Sequence, residues 1–230
     1  MEAVILAGGF GTRLRQVIHD VPKPMAPVSG QPFLSYIFEK LNRHGCKHVI
    51  LAVGYKRDAI QNYFGNQYKN LSLEYSVEEE PLLTGGALKQ AFQQARETTV
   101  LVLNGDTFFD VDISKMIKFH HQQHSDVTLA VKELHDFTRY GTVLFDDTSR
   151  ITHFVEKRAC HKGYINGGVY VMNRTLFDDF AIDKFMIEKD FLEKYVNDKK
   201  FYAFPSDGYF IDIGIPEDYE RANEEFTKKV

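Results

Sequence analysis

Short runs of branched apolar residues alternate with segments of helical period through the first half of the chain, and no other feature restricts its fold as strongly. EAVILA (2–7), HVILAV (48–53), LSLEYSV (71–77) and TTVLVLNGD (98–106) read as strands. The last is apolar at successive positions, so it is buried on both faces and belongs in the middle of a sheet. Between the runs, Phe33, Leu34, Ile37, Phe38 and Leu41 mark one face of a helix that should stop near Gly45. Residues 57 to 64 form a short helix, and Ala87, Leu88, Ala91, Phe92 and Ala95 mark another buried stripe. Strands alternating with helices predict parallel pairing through crossover connections. Beyond residue 125 strands follow one another with fewer helices, although 174–180 and 186–198 have helical character and a last helix begins near Pro216. The second half therefore adds strands to a mixed sheet. The expectation is a single domain over 1–230, with about 1–125 and about 126–230 as sub-regions.

Twenty-eight basic residues against 32 acidic ones leave a net charge of −4. That balance excludes broad nucleic-acid binding and leaves room for a local basic site that takes a small anion. No apolar run is long enough to span a bilayer, and no basic segment precedes the first one, so neither a membrane partner nor a signal peptide is expected and the predicted location is the cytoplasm. Cys46 and Cys160 form no CxxC pair, which argues against a disulfide framework or a zinc knuckle.

The first strand runs into LAGGFGTRL (6–14), where Gly8, Gly9 and Gly11 leave the main chain bare at the carboxyl end of a strand, the edge at which open α/β sheets bind ligands. Backbone N–H groups there can approach phosphate oxygens, and Thr12, Arg13 and Arg15 add donors and positive charge. Taken alone, the glycines are accounted for equally well by a tight turn. A dinucleotide fingerprint is ruled out because Leu14 stands where the third glycine belongs, and a Walker loop because no Gly-Lys-Ser/Thr follows. In VPKPM (21–25) two prolines with fixed φ hold Lys23 between them, predicting an extended, stiff ribbon that displays a point charge.

LAGGFGTRL followed by PKPM, then EEEPLLTGGAL (78–88), LNGD (103–106), FVEK (154–157), INGG (165–168) and YFIDIGIPEDY (209–219), resemble in order the motifs of the sugar-1-phosphate nucleotidylyltransferases over nearly the whole length. The resemblance is strongest to members that act with GTP on heptose 1-phosphate, then to those that act on mannose 1-phosphate. It implies a Rossmann-like three-layer α/β/α nucleotidyltransferase fold with a mixed, mostly parallel central sheet. It also implies an activity in which a sugar 1-phosphate oxygen attacks the α-phosphorus of a nucleoside triphosphate and pyrophosphate leaves. Two polyanions must meet, so Mg²⁺ and fixed cations are needed to offset their repulsion.

By the same resemblance Asp106 and Asp212 are the metal ligands, and Arg13, Lys23 and Lys157 are the catalytic cations. The nucleotide is expected on Leu6, Ala7, Gly8, Gly9, Gly11, Thr12, Arg13, Lys23, Glu80, Thr84, Gly85 and Asp106. The sugar phosphate is expected on Gly141, Glu156, Lys157, Asn166, Gly167 and Gly168, the two glycines leaving room for the ring. Guanine presents a ring N–H and an amino group, so Glu80 or Glu79, or a carbonyl in that loop, would suit it. Relatives commonly have glycine where this chain has Leu83. Strand alternation would send Glu156 and Lys157 to opposite faces unless a bulge intervenes. The partners expected are small molecules, an NTP and a sugar 1-phosphate, and a homodimer is compatible with the sequence.

Two histidine clusters, HHQQH (120–124) and HGCKH (44–48), lack paired zinc-ligand spacing. Asp110 and Asp112 form a D-x-D, the mark of a rival reading as a metal-dependent glycosyltransferase; a nucleotide-sugar sensor without turnover is a third.

Overall fold

The computed structural model describes residues 1–9, 14, 18 and 21–229, the side chains of the last three aside. In chain order, β1 (Glu2–Leu6) leads to a 3₁₀ turn at Lys23–Met25 and a small hairpin of β2 (Pro27–Val28) and β3 (Gln31–Pro32). Next come α1 (Phe33–Arg43), β4 (His48–Val53), α2 (Arg57–Phe64), β5 (Gln67–Tyr68), β6 (Leu71–Val77) and α3 (Leu83–Phe92). They are followed by β7 (Thr99–Asn104), β8 (Thr107–Phe109), α4 (Ile113–Gln122), β9 (Val127–Phe137), β10 (Thr142–Phe145), β11 (Ile151–Val155) and β12 (Cys160–Asn173). The chain closes with α5 (Glu193–Tyr195), β13 (Phe201–Pro205), β14 (Phe210–Asp212) and α6 (Pro216–Lys229).

A ten-stranded sheet follows the order β11-β10-β12-β7-β1-β4-β6-β5, with β9 beside β12 and β13 beside β9. Its middle strands β7, β1, β4 and β6 are parallel, and β12 joins them antiparallel along β7. Successive residues of β1 serve opposite faces: Ala3 and Ile5 pack with α1, α4 and α6, whereas Val4 packs with α3 and the phenylalanines Phe177, Phe185 and Phe191. This is the three-layer α/β/α arrangement, and each fully buried aliphatic side chain in it contributes about 1.5–3 kcal/mol. β7 is apolar on both faces because both layers cover it.

Three local expectations need correction or refinement. Lys23 does not sit on an extended ribbon: Pro22 is extended at φ −68°, ψ 153°, but Met25 N–H then donates to Pro22 O and Ala26 N–H to Lys23 O, closing a 3₁₀ turn. The segments 174–180 and 186–198 are helical as expected, but the helix type is refined: a 3₁₀ turn at Arg174–Phe177, and a π-helical turn at Ile187–Leu192 followed by α5. Finally, β11 ends at Val155, so Glu156 and Lys157 lie beyond the strand and alternation does not constrain them.

Candidate active site

The carboxyl ends of β1 and β7 lie side by side, Leu6 opposite Asn104. Gly105 N–H donates to Leu6 O at 2.9 Å, so the turn after β7 is tied to the carboxyl end of β1, and Asp106 follows it. β14 pairs antiparallel with β8, setting Asp212 opposite Thr107, and Ile213 N–H donates to Asp106 O at 3.0 Å. One three-residue ladder thus brings together two aspartates that are remote in sequence. Lys23 reaches between them, its Nζ 2.5 Å from Asp106 Oδ2 and 3.5 Å from Asp212 Oδ1.

The carboxylates are driven in opposite directions. Burial pushes Asp106 up, but the Lys23 ammonium and hydrogen bonds from Lys23 and Thr107 outweigh it and hold the carboxyl below its ordinary range. Asp212 is raised, first by burial and then by the charge of Asp106, with Lys23 offsetting only part. Its Oδ1 is buried and accepts no hydrogen bond. An unsatisfied buried carboxylate oxygen beside a second carboxylate is a donor set that suits a hard divalent cation such as Mg²⁺, which usually takes one or two carboxylates and completes its shell with phosphate oxygens and water.

A cavity of about 380 Å³ opens over this cluster. Leu6, Ala7, Gly8, Gly9, Lys23, Thr84 and Asp106 are among the residues that line it. Gly11, Thr12, Arg13 and Arg15 lie outside the described residues. Gly85 stands behind Thr84, packed so closely on Phe185 that a Cβ would fall 2.2 Å from the ring. Glu80 is exposed and is not part of the cavity lining, and Glu79 is exposed and paired with Arg57 at 3.3 Å. Gly141, Glu156 and Lys157 belong to the β10–β11 arm; Glu156 and Lys157 are exposed, and Glu156 pairs with Lys189 at 2.8 Å. The INGG stretch lies in an irregular part of β12, where Gly168 has φ +70°. Asn166 uses its Oδ1 for Gly168 N–H and its Nδ2 for the hydroxyl of Tyr170. The missing side chain at Gly167 makes room for the Phe109 ring, and that at Gly168 for Asn104.

Sequence reasoning missed Glu78, Asn104 and Glu188, all of which line the cavity. Glu78 N–H donates to Val53 O, its Oε2 accepts Leu82 N–H at 2.9 Å, and its Oε1 lies so near the glycine turn that a Cβ at Gly8 would fall 2.5 Å from it. Gly8 is bare because a carboxylate needs the space. Burial raises the pKa of Glu78 against that single backbone donor. Glu188 is raised by burial too; Thr84 Oγ1 donates to it at 3.4 Å and the buried Tyr170 hydroxyl hydrogen-bonds it. Its position in a π-helical turn is the kind of irregularity that often accompanies function, but no 3.6-residue period reveals it.

The other motifs have structural accounts. Asp112 caps α4, accepting Lys115 N–H at 3.0 Å, and Asp110 lines a different cavity with Tyr36, Phe108 and Tyr209. His120 is buried between Thr128 and Asn173, and His48 lies between Glu2 and Glu74.

Gly8 and Gly9 just past the carboxyl end of a parallel strand, lining one cavity with Lys23 and Asp106 and with Asp212 beside them, define a nucleotide-handling α/β enzyme. The nucleotidyl transferase family model matches residues 2–229, and the chain belongs to that family: it is a nucleotidyltransferase. It is 52% identical, over 98% of both chains, to D-glycero-alpha-D-manno-heptose 1-phosphate guanylyltransferase of Aneurinibacillus thermoaerophilus. The enzyme with that same description from Campylobacter jejuni is 46% identical, over 95% of this chain and 97% of that one. Among solved structures, HddC from Yersinia pseudotuberculosis complexed with GMP-PN superposes with a TM-score of 0.88 at 40% identity, covering 98% and 99% of the two chains. Among the described residues no helix is long and apolar enough to cross a membrane.

Proposed function

We propose that this enzyme transfers a guanylyl group from GTP to D-glycero-α-D-manno-heptose 1-phosphate, yielding GDP-heptose and pyrophosphate. The observation that carries the reading is the convergence of Lys23, Asp106 and Asp212 beside the carboxyl end of β1, and the similarity to two heptose 1-phosphate guanylyltransferases supports the choice of substrates. Asp106 and Asp212 would hold Mg²⁺, which when bound supplies positive charge to the phosphates of both substrates. Lys23 stabilises phosphate charge at the attacked centre, and the glycine turn with Arg13 receives the rest of the triphosphate. Lys157, at the end of the β10–β11 arm, takes the phosphate of the sugar substrate, with Glu156 beside it for a hydroxyl. Glu78 rather than Glu79 or Glu80 reads the base: guanine offers two adjacent donors, N1–H and N2–H, to one carboxylate. Glu188, held by Thr84 and Tyr170, is a further acceptor in the cavity and suits a sugar hydroxyl.

A matrix of GTP, ATP, UTP, CTP and dTTP against heptose, mannose, glucose and N-acetylglucosamine 1-phosphates, with Mg²⁺ and pyrophosphate release as readout, tests this. GTP with heptose 1-phosphate should give the highest kcat/KM; a preference for mannose 1-phosphate or another base would move the reading to a sister specificity. Asp106→Asn should abolish nearly all turnover in a folded protein, and full Mg²⁺-dependent activity in that variant would remove Asp106 from the metal site.

A further inference from the structure

Lys23 does more in this arrangement than wait for a phosphate. Its ammonium closes on Asp106 at 2.5 Å and stands 3.5 Å from Asp212 Oδ1, an oxygen that is shut off from solvent and receives no hydrogen bond. Gly214 presses from the other side: a Cβ there would fall 2.9 Å from Asp212 Oδ1 and 3.1 Å from Lys23 Nζ. The ammonium therefore lies against one oxygen of each carboxylate, and a cation that bridged those two oxygens would have to displace it. The ammonium is also a like charge to any arriving cation at close range. The backbone of Lys23 is fixed by the 3₁₀ turn between Pro22 and Met25, and the ammonium is carried at the end of a four-carbon stem with rotatable bonds of its own. The amine can leave the carboxylates without any movement of the main chain.

Resting on the reading of Asp106 and Asp212 as the metal pair, we propose that Lys23 is the resident counter-ion of that pair and gates it. The divalent cation gains both carboxylates only when triphosphate oxygens draw the ammonium away, so metal and nucleotide load together and the pair keeps one cation beside it between turnovers. Charge bookkeeping supports the exchange: one ammonium is replaced by one dication exactly where the anionic substrate brings additional negative charge.

The test is Mn²⁺ binding to the full chain without nucleotide, followed by the EPR signal of the free ion. Wild type and Lys23→Arg should bind weakly, and Lys23→Met should bind at least about tenfold more tightly, the scale of removing one close like charge. The melting temperature of Lys23→Met, but not of wild type, should rise on adding Mn²⁺. Adding Asp212→Asn to Lys23→Met should cancel the gain. Equal Mn²⁺ affinity in Lys23→Met and wild type overturns the gate. Should Lys23→Met fail to fold, Lys23→Gln takes its place, and wild type alone still decides: tight binding of Mn²⁺ without nucleotide, lost in Asp106→Asn, overturns the gate while leaving the metal pair standing. A gain in Lys23→Met that survives Asp212→Asn overturns the metal pair itself.

Discussion

At the scale of single residues the site is a set of carboxylates sorted by what neutralises them. Asp106 has an ammonium at 2.5 Å, whereas Glu78 has one backbone N–H and a buried setting. A carboxylate left that bare beside a phosphate-binding turn is useful only to a ligand that brings N–H or O–H donors. Glu78→Gln keeps the shape and the Leu82 contact but replaces one acceptor with a donor facing guanine's donors. It should lower kcat/KM for GTP by about 2–3 kcal/mol, the loss of charge-assisted hydrogen bonds, while the much weaker reaction with other nucleotides changes little; nucleotide competition assays read this directly. An undiminished preference for GTP would exclude Glu78 as the base reader. Glu78 was not legible in the sequence because three consecutive glutamates, Glu78, Glu79 and Glu80, are chemically identical there. Only the register of β6 with β4, continued by Glu78 N–H on Val53 O, decides which of them turns inward.

At the scale of elements, the most informative is the start of α3. Leu83 begins it with φ +64°, in the left-handed region, and is 45% exposed. The main chain must turn left-handed here to pass from the Glu78 loop into the helix, a conformation that favours glycine, and a side chain is tolerated only at a cost. Leu83→Gly should raise stability by about 0.5–1 kcal/mol in chemical denaturation, the relief of left-handed strain less the greater entropy of an unfolded glycine. Little packing is lost because the leucine is half in solvent. The elements themselves were largely readable: α1, α2 and β7 fall where apolar period and breakers put them. The π turn at Ile187–Leu192 was not, since its regularity is set by packing of Phe185 and Phe191 against Phe177 and not by local propensity.

At the scale of the whole molecule, one buried lysine couples the layers. Lys40 of α1 donates to Phe109 O at the end of β8 and lies over the Phe108 ring, and burial, opposed in part by the charge of Asp110, lowers its pKa from 10.5 to about 8. Below about pH 8 the amine is charged in folded and unfolded states alike, so the burial penalty is fully present. Between that pH and 10.5 the folded protein sheds its proton before the unfolded chain does, and the penalty fades as pH rises. Lys40→Met should therefore stabilise the fold at pH 7 by about 1–2 kcal/mol, the relieved charge burial less one orphaned carbonyl. The advantage should shrink across the alkaline window in urea titrations at successive pH values; an advantage constant with pH would refute a buried ammonium. By itself the sequence determined the layers, because period and branching are local properties that act before any tertiary contact exists. Tertiary structure decided which distant groups share one point: that Asp212 meets Asp106 follows from pairing of β14 with β8, and that Lys23 lies between them follows from a turn closing where prolines suggested a ribbon. Such meetings depend on register and burial, which no short window of residues contains.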